Sequence, residues 1–331
     1  MLPAWRLSLR GLFLRAVDAE QPLLVWLQAR RHRKSYRTPG RDMFFTYTTN
    51  LGTHTFFLLT IPLLFWCGFA DVARGLTIVM TLGVFLTGLA KDLLCLPRPL
   101  SPPIQQLTFS KSHQLEYGFP STHTTNAVSI GLFLLAQLDE RWPYDARHSS
   151  MNVERLCVQA LIWLYMLSVS LGRLYCGMHG LVDVGAGAVI GIGVYEFWHR
   201  FWSDIEIWIM SHGLIVPITI TMLCLGAIIM HPDPAEPCPC IDDSIAVIAV
   251  DLGLLLATWH YARSMPGTIP RGDIPFDYAR LGLLGSVARI VLGVLIVFVW
   301  RLAVKYACYK LLPPLYRAGH FPYRRFYMPA T

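Results

Sequence analysis

The chain is 331 residues long, 54% hydrophobic and 15% charged, with a mean hydropathy of +0.45. A soluble domain carries nearer a quarter charged residues, so this composition describes a polytopic membrane protein. The formal net charge of +7 comes largely from the first 41 residues; the rest is apolar and contains no binding module, which excludes nucleic acid as a partner.

Residues 1–42 form a basic, partly apolar segment. From Leu7 to Leu27, Arg10, Arg15, Asp18 and Glu20 are mixed with Leu, Phe and Trp, which predicts an amphipathic helix lying on a membrane surface. No clean apolar run precedes a small-residue cleavage site, so no cleavable signal peptide is expected. Arg30-Arg31-His32-Arg33-Lys34 is a basic cluster that either meets anionic headgroups or carries only a topology signal.

Eight segments of about 20 residues are apolar enough to span, at roughly 48–68, 74–95, 120–138, 156–175, 179–198, 206–230, 243–261 and 281–304. Charged linkers such as Asp139 to Arg155 and Tyr261 to Arg280 separate most of them. The run from Pro97 to Pro103 ends the second, because proline offers no amide hydrogen to the helix. The eight cysteines are scattered, and Cys238 and Cys240 lie too close together to read as a zinc ribbon without a second pair. The expected fold class is all-α, a polytopic membrane helix bundle of about eight spans, since helices satisfy their own backbone in lipid.

Three stretches carry chemistry. Lys91 is followed after six residues by Arg98-Pro99; Pro120-Ser121-Thr122-His123 opens the third segment; Arg173 is followed after five residues by His179 and after three more by Asp183. With alternating helix directions, all four segment ends fall on one membrane face. Lys91, Arg98 and Arg173 are costly there without a counter-charge, and a dianionic phosphate would supply one. The helix start adds the amides of Thr122 and His123 and the Ser121 hydroxyl. His179 and Asp183, four apart, share a helix face, so the carboxylate can orient one ring nitrogen while the other attacks phosphorus. His123 can protonate the leaving alkoxide and then activate water. His, His and Asp are also metal ligands, but the three cations would repel a divalent ion, so neither a metal nor a cofactor is expected.

The pattern Lys-x6-Arg-Pro, Pro-Ser-x-His and Arg-x5-His-x3-Asp resembles the type 2 phosphatidic acid phosphatase superfamily. The fuller strings KDLLCLPRPLSPP, EYGFPSTH and GRLYCGMHGLVDVGAG are most similar to the sphingosine-1-phosphate, or long-chain-base-1-phosphate, phosphatases. Resemblance runs from about residue 43 to Phe321-Pro322-Tyr323-Arg324-Arg325. It implies an acid-phosphatase-like catalytic core at 43–200, with C-terminal membrane helices and a tail at 201–331. It implies His179 as a nucleophile forming a phosphohistidine, Asp183 as its orienter and His123 as acid and base, with Lys91, Arg98, Ser121, Thr122 and Arg173 holding the phosphate. The implied reaction is metal-independent hydrolysis of a sphingoid base 1-phosphate in the endoplasmic reticulum membrane. The alternatives are a broad-specificity phosphatidate or lysophosphatidate phosphatase and a non-catalytic lipid-phosphate transporter or receptor.

Two departures stand out: Gly172 where the family often has serine, and Thr122 where it often has glycine. Related animal proteins have a further apolar span after the position of Phe321, and none follows here. The basic N-terminus predicts a cytosolic start, which after two spans puts the site in the cytosol. The resemblance implies a luminal site, and a crossing by residues 9–28 would reconcile the two, so the side stays open. Of the polar groups inside apolar segments, His212, Asp251 and Arg289, the last two suggest an ion pair, or Asp251 a contact to a substrate amine.

Overall fold

The structure is a computed structural model and describes residues 3–28, 37–108, 115–144, 149–211, 213–264 and 276–319. The basic cluster at 30–34, His212 and the 321–325 motif therefore lie outside the described residues. Among those described, all regular structure is helical: α1 (Ala4–Gln28), α2 (Pro39–Asn50), α3 (His54–Trp66), α4 (Ala70–Leu94), α5 (Thr122–Arg141), α6 (Ser149–Tyr175), α7 (Leu181–Ser211), α8 (Ile215–Met230), α9 (Cys240–Ser264) and α10 (Tyr278–Ala318).

The eight apolar segments fall chiefly on α3 to α10, but not all at spanning length. Among the described residues, four helices, α4, α6, α7 and α10, are long and apolar enough to cross a membrane, while α3 and α8 are shorter apolar helices. The 13 residues of α3 reach only about 20 Å at 1.5 Å each. The expected segment at 206–230 divides: α7 runs on to Ser211 and α8 starts anew at Ile215. Its Gly213 contributes to a turn that Val216 closes by donating its N–H to the Gly213 carbonyl.

The bundle is built around α4, most of whose residues are buried. Phe57 and Ile61 of α3, Leu76 and Val79 of α4, Ile130 and Phe133 of α5, Val194 of α7 and Val247 of α9 form one apolar core. Helices α5 and α7 make the most extensive pair. Gly187 and Gly191 permit it: a Cβ on either would stand 2.6 Å from Ser121 O or 2.7 Å from Thr125 O. Small residues four apart let helix backbones approach closely in lipid, where dispersion and not water expulsion drives packing. Helix α10 contacts α3, where Gly293 lies against the Trp66 rings, and otherwise presents Leu284, Val299 and Trp300 outward as a lipid-facing surface.

Helix α1 lies across the ends of α4 and α7. Arg6 donates to the carbonyls of Asp92 (2.5 Å) and Leu93 (2.9 Å), and Arg10 to that of Cys95 (3.2 Å), so its arginines satisfy the C-terminal carbonyls of α4. Two turns beyond Phe13, the Glu20 carboxylate accepts from Val182 N at 2.9 Å and caps the start of α7. Val17 and Leu24 are buried beneath it.

The expected Asp251–Arg289 pair does not form. Asp251 is buried on α9 near Thr81 of α4, and the Arg289 guanidinium stacks over the Phe276 ring. Asp251 does not line the cavity that Lys91, Thr122 and His123 share.

Candidate active site

Local signals position each stretch. Cys95 takes a left-handed conformation (φ 51°) and stops α4 just after Lys91, and Pro97 and Pro99 prevent the helix from resuming. Ser121 caps α5, its Oγ accepting from Thr124 N at 3.4 Å, with His123 in the first turn. Between α6 and α7, Gly177 has φ 65°, and a Cβ there would meet Gln105 O at 2.7 Å. This tight turn carries the chain from Arg173 to His179 in one reversal.

The tertiary structure brings these stretches together. Arg98 Nη1 donates to Met178 O at 3.0 Å and lies 3.1 Å from His179 Nε2. Ser121 N donates to Asp183 O at 3.1 Å, joining the second stretch to the third. Lys91, Thr122 and His123 line one cavity of about 50 Å³ with Gly52, Thr53, Glu116, Asn126 and Cys240. Arg173 is buried, and its Nε and Nη2 have no hydrogen-bond partner among the described residues. Buried guanidinium donors of that kind suit an anion with several oxygens.

His179 is buried in the turn before α7, outside the spanning helix. Its Nδ1 is 2.8 Å from the carbonyl of Gly118, which can only accept, so Nδ1 carries the proton and Nε2 keeps its lone pair. Burial holds the imidazole well below its ordinary 6.5, and the positive charges of Arg98, Arg173, Lys91 and His123 push the same way. The ring is therefore neutral at neutral pH. Asp183 Oδ2 stands 3.5 Å from Nδ1, too far for a good hydrogen bond, and instead accepts from Gly180 N at 2.9 Å.

Sequence reasoning gave no role to Glu116, yet its carboxylate bridges the cations, 2.8 Å from Lys91 Nζ and 3.3 Å from Arg98 Nη2. Its backbone carbonyl also accepts from Arg98 Nε at 3.0 Å. The signal available was its place in the EYGFPSTH string, five residues before Ser121. Gly118 left no side-chain signal, because it acts through its backbone. The Gly172 departure has a steric basis: a Cβ there would meet Thr49 Cγ2 of α2 at 2.7 Å, so α2 occupies the space a serine would need.

The comparisons decide the family. A dihydrosphingosine 1-phosphate phosphatase of Schizosaccharomyces pombe is 37% identical over 96% of this chain and 74% of its own length. The chain belongs to the PAP2 superfamily. Residues 72–206 match that superfamily, and they contain all three stretches. A second relative, a dihydrosphingosine 1-phosphate phosphatase of Saccharomyces cerevisiae, is 32% identical over 94% of this chain and 73% of its own length. A solved transmembrane PAP2-type phosphatidylglycerolphosphate phosphatase from Bacillus subtilis aligns with a TM-score of 0.45 and 20% identity, covering 61% of this chain and 94% of that one.

Proposed function

We propose that this PAP2 chain is a membrane lipid phosphatase of sphingolipid metabolism, hydrolysing long-chain sphingoid base 1-phosphates to the free base and inorganic phosphate. The observation that carries the reading is a neutral, buried His179 whose Nε2 points into a cluster of cations. The names of the two fungal relatives supply the substrate class.

The phosphate takes the place between Lys91 and Arg98 that the Glu116 carboxylate now bridges. Arg173 contributes its buried donors, and the start of α5 its Thr122 amide and Ser121. His179 Nε2 attacks phosphorus as the P–O bond to the lipid breaks, and His123 gives a proton to the departing alkoxide. The phosphohistidine is then hydrolysed by a water from which His123 removes a proton, returning both imidazoles to their starting states. The guanidinium groups stabilise charge on the equatorial oxygens during both transfers. Asp183 acts by holding the backbone of the His179 turn as well as by its charge.

The catalytic core in this reading is 43–200, with α1 a surface segment that braces it and the helices after residue 200 completing the bundle. The protein would reside in the endoplasmic reticulum membrane, with the headgroup at the helix ends and the hydrocarbon chain in the bilayer.

Phosphate release by the purified full chain in detergent, on a sphingoid base 1-phosphate and on phosphatidate, tests the reading. Expected are faster turnover of the sphingoid substrate, loss of activity in His179→Ala, and acid-labile, base-stable phosphate trapped on the wild-type protein. Equal turnover of phosphatidate would remove the substrate assignment, and full activity in His179→Ala would remove the mechanism.

A further inference from the structure

The connection between α8 and α9 brings two thiols against the end of α4. Cys238 Sγ and Cys240 Sγ are 2.6 Å apart, and both cysteines are free. The Asp92 carboxylate of α4 joins them, with one ligand atom from each residue lying within 4.8 Å of the others. Asp92 is 0% exposed, and apart from the two neighbouring thiols its oxygens have no hydrogen-bonding group among the described residues. A buried carboxylate without such partners is strongly unfavourable unless something else compensates its charge. His231 stands behind it, with Nδ1 3.7 Å from Asp92 Oδ2 and Nε2 3.2 Å from Ser244 Oγ. Tyr117 and Cys95 hold the loop in place, accepting from Glu236 N at 3.0 Å and Ala235 N at 3.4 Å.

We propose that Asp92, Cys238 and Cys240 bind one soft divalent metal ion of the zinc class, with His231 orienting the carboxylate from outside the coordination sphere. Two thiolates and a carboxylate are ordinary ligands for such an ion, and water can take the fourth tetrahedral position. Each thiol gives up its proton to solvent on binding. Zinc–sulfur bonds of about 2.3 Å place tetrahedral sulfurs about 3.8 Å apart, so the two side chains rotate away from each other as the ion enters. Ligating carboxylates are ordinarily held by an outer hydrogen-bonding group, and His231 stands where it can serve as one.

None of these residues is assigned to the phosphate or to the chemistry, so the ion is structural. It ties the end of α4 to the start of α9, one residue from Lys91. Cys240 lines the same cavity as Lys91 and His123, so the clamp sets one wall of the phosphate site. Cys238 and Cys240 lacked a second pair in the sequence; the fold supplies a third ligand from nearly 150 residues away.

The test uses the full chain in detergent, reduced, loaded with zinc and desalted. Elemental analysis should find about one zinc per chain, and both Asp92→Asn and the Cys238→Ser, Cys240→Ser double variant should lose it. Loading the wild type with cobalt should give a thiolate-to-cobalt charge-transfer band, a readout that does not depend on any variant folding. Failure of the reduced wild type to retain zinc, or a cobalt spectrum without that band, would overturn the proposal. So would retention of zinc by the folded double variant, or a Cys238–Cys240 disulfide in protein isolated without reductant.

Discussion

His179 donates its Nδ1 proton to the carbonyl of Gly118 at 2.8 Å. The backbone of the second motif's approach thus sets the tautomer of His179, the proposed nucleophile, in the third. Asp183 stands farther off, at 3.5 Å, and spends its shorter bond on Gly180 N. This divides the orienting task between a carbonyl and a carboxylate, and the division has measurable consequences.

Asp183→Asn keeps an oxygen that can accept from Gly180 N and leaves the Gly118 carbonyl untouched. Its kcat should fall by about 10²–10³-fold, while His179→Ala should fall to background. Steady-state kinetics with both variants, and phosphate trapping in Asp183→Asn, check the order. A loss as complete as that of His179→Ala would show that the carboxylate alone holds the ring.

The depressed basicity of His179 links pH to stability. In the unfolded chain the ring protonates near 6.5, while in the folded protein burial and the surrounding cations resist the proton. The unfolded state therefore binds more protons as pH falls below about 6.5, and folded stability drops with it. Thermal unfolding in detergent at pH 7.5 and pH 5 should show a larger fall for the wild type than for His179→Gln. An equal fall in the two proteins would mean that His179 is not the group responsible.

Glu116 balances Lys91 and Arg98, and in the proposed reaction the incoming phosphate displaces its carboxylate. On that proposal the displaced carboxylate is expected to pair with the ammonium of a sphingoid base 1-phosphate, a group that phosphatidate lacks. Glu116→Gln should lower the ratio of kcat/KM for the sphingoid substrate to that for phosphatidate on the order of tenfold, the scale of one partly screened charge pair. An unchanged ratio would leave Glu116 as a counter-ion only.

Gly172→Ser restores the residue common in the family, but its Cβ would press on Thr49 Cγ2. Overpacking of this kind costs about 1–3 kcal/mol. The single variant should unfold at lower temperature than the wild type, and adding Thr49→Ala should recover most of the loss. Thermal shift measurements on the wild type and the single and double variants test this coupling.

Much of this protein was legible in one dimension because the relevant signals are local. Apolar runs announced the helices, though fewer of them reach spanning length than the eight segments suggested, and an alternating path placed the ends carrying Lys91, Ser121, Arg173 and His179 on one face. Caps and breakers such as Ser121 and Pro97 act within a few residues of themselves, so they can be read without knowing what lies opposite. Other features depend on how distant segments meet. The Gly118 carbonyl, the Glu116 bridge, the hold of Glu20 on α7 and the approach of Asp92 to Cys238 and Cys240 all arise across loops or between remote helices. The same dependence separated Asp251 from Arg289, because α9 turns its acid toward α4 while α10 rests on α3. Periodicity gives the face a side chain takes on its own helix; which neighbour covers that face is settled by close packing of the whole bundle.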